Sequence, residues 1–283
     1  MPPNLENVQP TLQSLAAVTR LLGAVRVLAF ERQPNFLHLG MKIVPEGVST
    51  DVLPTGGEIR LDMRHLMLVY LPANGTAQTI PLEGQSQGDL LEKLLAAVYP
   101  HELAAFVPHN TSETYTQAAL NAAPNLVNHG KLHPELIIDT SPLYFDAQAA
   151  NDYAQVLYRM FTAVARFRAR LNGSMTPVVV WNEHFDLSFI WFAAQPDENQ
   201  PHLNFGFAPF SAGIPEPYLY VYAYPYPASY EPPALPPGAR WQTEGWTGVV
   251  LPYTEIASQN DPEGYIESAC IAIYRALRPL LKA

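Results

Sequence analysis

Nine residues near the middle of the second half of the chain, Pro217-Tyr218-Leu219-Tyr220-Val221-Tyr222-Ala223-Tyr224-Pro225, admit one backbone conformation. Their strict period of two is that of a β-strand, whose successive side chains point to opposite faces. One face then carries four tyrosines and the other Leu219, Val221 and Ala223. The small aliphatic face suits a core. The tyrosine face is amphipathic, able to stack on a flat ligand and to hydrogen-bond through its hydroxyls, or to serve as an aromatic ladder that covers the sheet or meets a second copy of the chain. The surroundings are equally biased: residues 181 to 230 hold 14 of the 31 aromatic residues, and 11 of the 28 prolines fall between Pro196 and Pro237.

Composition narrows the classes. The 283 residues carry 16 Lys+Arg against 26 Asp+Glu, a formal net charge of -10, which argues against nucleic acid as a partner because phosphate binding needs clustered cations. Charged residues make up only 15% of the chain, and apolar residues at 48% suffice for a large core. The single cysteine, Cys270, leaves no disulfide framework and no Cys-based zinc site, as in a reducing compartment. The opening MPPNLENVQP lacks a signal-peptide pattern and no run of 18 uninterrupted apolar residues occurs, so a cytoplasmic protein without membrane contact is expected.

Periodicity predicts helices after Pro10-Thr11 (Leu12, Leu15, Val18, Leu22, Val25), from Ser86 with Asp89 as a capping box, around Glu113 to Asn121, from Asp146 to about Asn172, and from Asp261-Pro262-Glu263 to Leu281. Strands are expected at Leu37–Ile43, Ile59–Met63, Leu66–Leu71, Gln78–Leu82, Pro177–Trp181, Phe185–Phe192, Tyr218–Ala223 and Val249–Leu251, with Asn74-Gly75 as a two-residue hairpin turn. The fold class is therefore α+β. Two similar halves, 1–135 and 136–283, each read as an antiparallel sheet between an opening and a closing helix, as an internal duplication would produce, and they would pack as one unit.

Few patterns carry chemistry. His184, Asp186 and Ser188 share one face of the Phe185–Phe192 segment, but strand neighbours stand in a row and do not converge, and no Gly-x-Ser-x-Gly elbow is present; solvated residues on a half-exposed strand are expected. His129 and His133, with Glu135 beyond, have a metal-like spacing that Gly130 and Pro134 interrupt, so no metal site is expected. Arg159, Arg166 and Arg170 complement a helix C-terminus. Neither a P-loop nor Gly-x-Gly-x-x-Gly occurs, and no cofactor is expected.

Several pieces together resemble a bacterial family known only as a domain of unknown function, over about Leu12 to Leu277. They are Asn35-Phe36-Leu37-His38 ahead of Gly47-Val48-Ser49-Thr50, Phe185-Asp186-Leu187, Pro215-Glu216-Pro217 running into the tyrosine strand, and Leu251-Pro252-Tyr253. The resemblance implies that His38, Asp186, Glu216, Tyr220 and Tyr222 do more than fill space. The family has a tighter Trp-x-x-Phe-Asp spacing than Trp181 and Phe185 show here, which a β-bulge would accommodate.

The candidate ligand-binding residues are His38, Trp181, Asp186, Glu216, Tyr220 and Tyr222. The expected function is binding of a small neutral or cationic molecule in an aromatic and acidic cleft. The alternatives are a hydrolase or isomerase using Asp186 or Glu216 with His38 as acid–base groups, and a structural protein that homodimerises through the tyrosines.

Overall fold

The computed structural model describes residues 3, 5–105, 107–122, 140–226 and 231–281. The His129, His133 and Glu135 pattern lies outside them. Contacts divide the chain into two compact units: Pro10–Gln155 with Val180–Phe185, and Met1–Gln9, Val156–Val179 and Asp186–Ala283. Among the described residues the strands form two antiparallel sheets, and the fold is α+β.

In the first unit, α1 (Gln9–Ala29) is buried on nearly every side. By length and composition it could cross a membrane, with a mean hydropathy of 1.4, but 89% of that window is buried inside the protein. A meander follows, β1 (Lys42–Val44), β2 (Gly47–Ser49), β3 (Glu58–Asp62), β4 (Met67–Leu71) and β5 (Gln78–Pro81), hydrogen-bonded in that order. The β4–β5 hairpin spans Asn74-Gly75, with Gly75 at φ 132°. Its loop, however, runs from 72 to 77, longer than the two-residue turn the dipeptide suggests. Helix α2 (Gln87–Val98) opens with the expected capping box: Ser86 Oγ accepts from Asp89 N–H at 3.1 Å and the Asp89 carboxylate accepts from Ser86 N–H at 3.3 Å. The Glu92 carboxylate caps α3 (Tyr115–Ala122) through the Tyr115 and Thr116 amides, at 3.0 and 2.8 Å. Helix α4 (Ala147–Ala169) begins where Asp146 Oδ1 accepts from Ala149 N–H at 2.8 Å.

The predicted strand Leu37–Ile43 is mostly absent. Residues 34 to 39 coil as a 3-10 turn in which Asn35 and Phe36 adopt left-handed φ of 53° and 54°, and strand pairing starts only at Met41, in a single bridge to Val180, and continues in β1. Arg26 gives the physical reason. Its buried guanidinium donates to the carbonyls of His38 (2.7 Å), Thr50 and Leu37 (3.5 Å), so two carbonyls of this segment serve the cation and not a ladder. Burial pulls the Arg26 pKa down to about 10, which still leaves it charged at neutral pH.

The second sheet comprises β6 (Val179–Trp181), β7 (Asp186–Phe192), β8 (His202–Ala208), β9 (Tyr218–Tyr224), β10 (Arg240–Gln242) and β11 (Gly248–Pro252), in the order β10-β11-β9-β8-β7-β6. Strand β8 is an addition to the strands expected from periodicity, and its odd positions Leu203, Phe205 and Phe207 are apolar and buried. On one face, Leu187, Phe189, Phe205, Val221 and Leu251 are buried against helices. Phe167 of α4 lies 4.9 Å from Phe205 and 6.0 Å from Phe189, centroid to centroid. After the short α5 (Tyr253–Ala257), α6 (Pro262–Leu277) starts at Asp261, whose Oδ1 accepts from Gly264 N–H at 3.1 Å. Cys270 is buried in α6, and burial pushes its thiol pKa up, as expected of a core residue.

Candidate functional site

The other face of the second sheet is the tyrosine face, and strand register explains its composition. Ser188 of β7 stands opposite Gly206 of β8, which stands opposite Tyr220 of β9, which stands opposite Val250 of β11. The next row is Ile190, Asn204 and Tyr222. With no Cβ at Gly206, the Tyr220 ring lies across that position, which a methyl group would overlap. Its hydroxyl thereby reaches over β8 and donates to Asp186 Oδ2 on β7. Gly248 gives Trp246 the same freedom. Glycine inside a strand is the sign of such a close approach.

Every tyrosine hydroxyl in the covered part of this face is engaged. Tyr218 donates to Ser211 Oγ at 2.8 Å, Tyr220 donates to Asp186, and Tyr222 accepts from Asn204 Nδ2 at 2.8 Å. The Tyr220 and Tyr222 rings are parallel, 6.2 Å apart and 7° between planes, and Trp246 meets Tyr220 edge-on at 6.3 Å. Exposure rises along the strand. Tyr218 and Tyr220 are buried in a cluster with Ala208, Ile214 and Val250, Tyr222 and Trp246 are partly buried, and Tyr224 is 43% exposed. His202 stacks on Tyr224 at 5.1 Å, extending the aromatic strip to the surface.

Electrostatics follow burial. Loss of water, then the nearby Asp186, then Tyr222, push the Tyr220 phenol well above its ordinary pKa, so it stays a hydrogen-bond donor. Tyr222 and Tyr218 are raised mainly by burial. Burial also lowers the His202 imidazole, against a hydrogen bond to the Gln200 carbonyl at 2.8 Å.

The six candidate residues separate into groups. Asp186, Tyr220 and Tyr222 share the tyrosine face. Glu216 lies just before β9 in a different groove of the same unit, about 560 Å³ in volume, lined by Pro217, Tyr253, Val8 and Pro3, and its carboxylate accepts from Thr254 Oγ1 at 3.1 Å. His38 belongs to the first unit, fully buried, its Nδ1 accepting from Gln33 N–H at 3.2 Å. Trp181 belongs there too, half-buried, and its carbonyl accepts from Phe185 N–H at 2.9 Å. That hydrogen bond closes a turn in which Phe185 has a φ of 54°, so a tight turn takes up the Trp181 to Phe185 spacing where a bulge was expected.

Two expectations for β7 need correction. Asp186 is 6% exposed and Ser188 1%, so neither is a solvated residue on a half-open strand. His184 is exposed in the turn before β7 and does not join them. Tyr220, remote in sequence, makes the difference: its ring lies across Gly206 and its hydroxyl reaches Asp186. Asn204 and Trp246 escaped the sequence reading, although the alternation from His202 to Ala208 places Asn204 on this face. Among the described residues no group of three metal-ligating side chains occurs.

No curated protein and no solved structure matches the chain. A family does, over residues 3–280, described as a family of unknown function, DUF5996. With nearly its full length matched, and with Asp186-Leu187, the tyrosine strand and Leu251-Pro252 all built into one sheet, the chain belongs to the DUF5996 family.

Proposed function

We propose that the chain binds a small neutral or cationic molecule at the half-open end of the tyrosine face, where Asn204 bonds Tyr222 and Trp246 packs on the same aromatic cluster. The observation that carries this reading is Asn204. The residue is 8% exposed, one amide hydrogen is given to Tyr222, and its Oδ1 has no hydrogen-bond partner among the described residues. A buried acceptor left empty costs about 1–3 kcal/mol, a loss that an incoming N–H or O–H donor removes. The neighbouring rings offer flat faces for stacking and for cation–π attraction. Asp186 beneath them adds a nearby carboxyl group that disfavours anions. Binding is better supported than acid–base catalysis, because Asp186 Oδ2 is already occupied by the Tyr220 hydroxyl.

Thermal shift of the purified protein against quaternary ammonium, primary amine and neutral amide probes tests the proposal, since binding to the native state raises the melting midpoint. Asn204→Ala and Tyr222→Leu should each abolish the shift while the unliganded midpoint moves by only a few degrees. A shift that survives both substitutions, or none with any probe in a broad metabolite panel, overturns it.

A further inference from the structure

The face of the second sheet opposite the tyrosines ends in a cleft that the preceding reading does not use. Its wall is Trp191 of β7. The indole N–H donates to the Asn172 carbonyl at 2.8 Å, and Gly173, at a φ of 107°, brings that loop close, its Cβ position only 3.3 Å from Trp191 Nε1. Tyr274 of α6 meets the indole edge-on at 5.2 Å and 84°. Where α6 ends, Arg278 sets its guanidinium carbon 5.7 Å from the Trp191 ring centre and 5.8 Å from that of Tyr274. Arg275, Pro279 and Leu281 complete a cleft of about 510 Å³, within the size range of small-molecule sites.

The charges in this cleft are unbalanced. On the same unit Arg166 and Arg170 share Glu267, at 2.9 and 3.6 Å. Arg275 and Arg278 meet no carboxylate and donate no hydrogen bond among the described residues. Basic residues in a last helical turn complement the helix dipole, which accounts for their position. It leaves their N–H donors without a described acceptor, with the Arg278 guanidinium beside the two rings. A guanidinium fork matches a carboxylate in two-point geometry. The fixed indole and phenol supply an apolar, flat wall beside it.

We propose that this cleft binds a small organic carboxylate with a flat apolar body, the carboxylate on Arg275 and Arg278 and the body against Trp191 and Tyr274. The site is independent of the tyrosine face and opposite to it in ligand charge.

Fluorine NMR of protein labelled with 5-fluorotryptophan tests it, the Trp191 signal being assigned with Trp191→Phe. Titration with 2-naphthoate should shift the Trp191 signal saturably. Binding should weaken at least tenfold in Arg275→Gln/Arg278→Gln, whose exposed side chains leave the fold intact, and at least tenfold with the uncharged 2-naphthalenemethanol. In the unaltered protein it should weaken as sodium chloride is raised. Tyr222→Leu should leave it unchanged. No saturable shift at Trp191, equal affinity for the alcohol, or equal affinity in the arginine variant overturns the proposal.

Discussion

The Tyr220 hydroxyl crosses one intervening strand to reach Asp186, and this hydrogen bond is made out of water. Replacing Tyr220 by Phe deletes the donor and leaves the carboxyl group buried, so urea unfolding should show a loss of about 1–3 kcal/mol. Asp186→Asn keeps an acceptor in place and should cost less. No loss in Tyr220→Phe would mean that ring packing, and not this hydrogen bond, carries the contribution of Tyr220. That Tyr220 and Tyr222 share a face was legible in the alternation of the segment. That Asp186 lies beneath them was not, because the pairing depends on Gly206 leaving room for a ring and on which strand β8 separates from which.

Local elements were read best where their start signals are short-range. Ser86 and Asp89 form their capping box and Asp261 its N-cap as expected, since both involve groups three residues apart. Ser86→Ala should destabilise by about 0.5–2 kcal/mol in thermal or urea unfolding. Gly206→Ala should cost about 1–3 kcal/mol, because a methyl group there displaces the Tyr220 ring from a packed position. Were that substitution neutral, the ring would have an alternative site. The segment from Leu37 to Ile43 alternates as well as any strand here, yet its first half coils, because the buried Arg26 claims the carbonyls of Leu37 and His38. Alternation reports which side chains could be covered, and a long-range donor can still reassign the backbone.

Stability of the protein as a whole should respond to alkaline pH. Tyr220 is held protonated in the folded state above its ordinary pKa, whereas in the unfolded chain it loses its proton near pH 10. The folded state therefore binds more protons above that pH. Stability is fully present below about pH 10 and falls as pH rises, by up to about 1.4 kcal/mol per unit for this group. Midpoints measured from pH 8 to 11.5 should fall less steeply in Tyr220→Phe than in the unaltered chain; identical slopes would refute the assignment. Native-state hydrogen exchange should be slowest in β8 and β9, which are paired on both sides, and at least ~100-fold faster in the edge strand β10. The α+β class, the two antiparallel sets of strands, most helix starts and the chemistry of the tyrosine strand all follow from periodicity and capping, which act between residues a few positions apart. Whether Asp186 would be wet or buried, and which of the candidate residues would meet, depended on contacts among β7, β8 and β9, with the Tyr220 ring lying across Gly206. Such contacts are set by strand register and by the shapes of side chains tens of residues apart, and no local pattern encodes them.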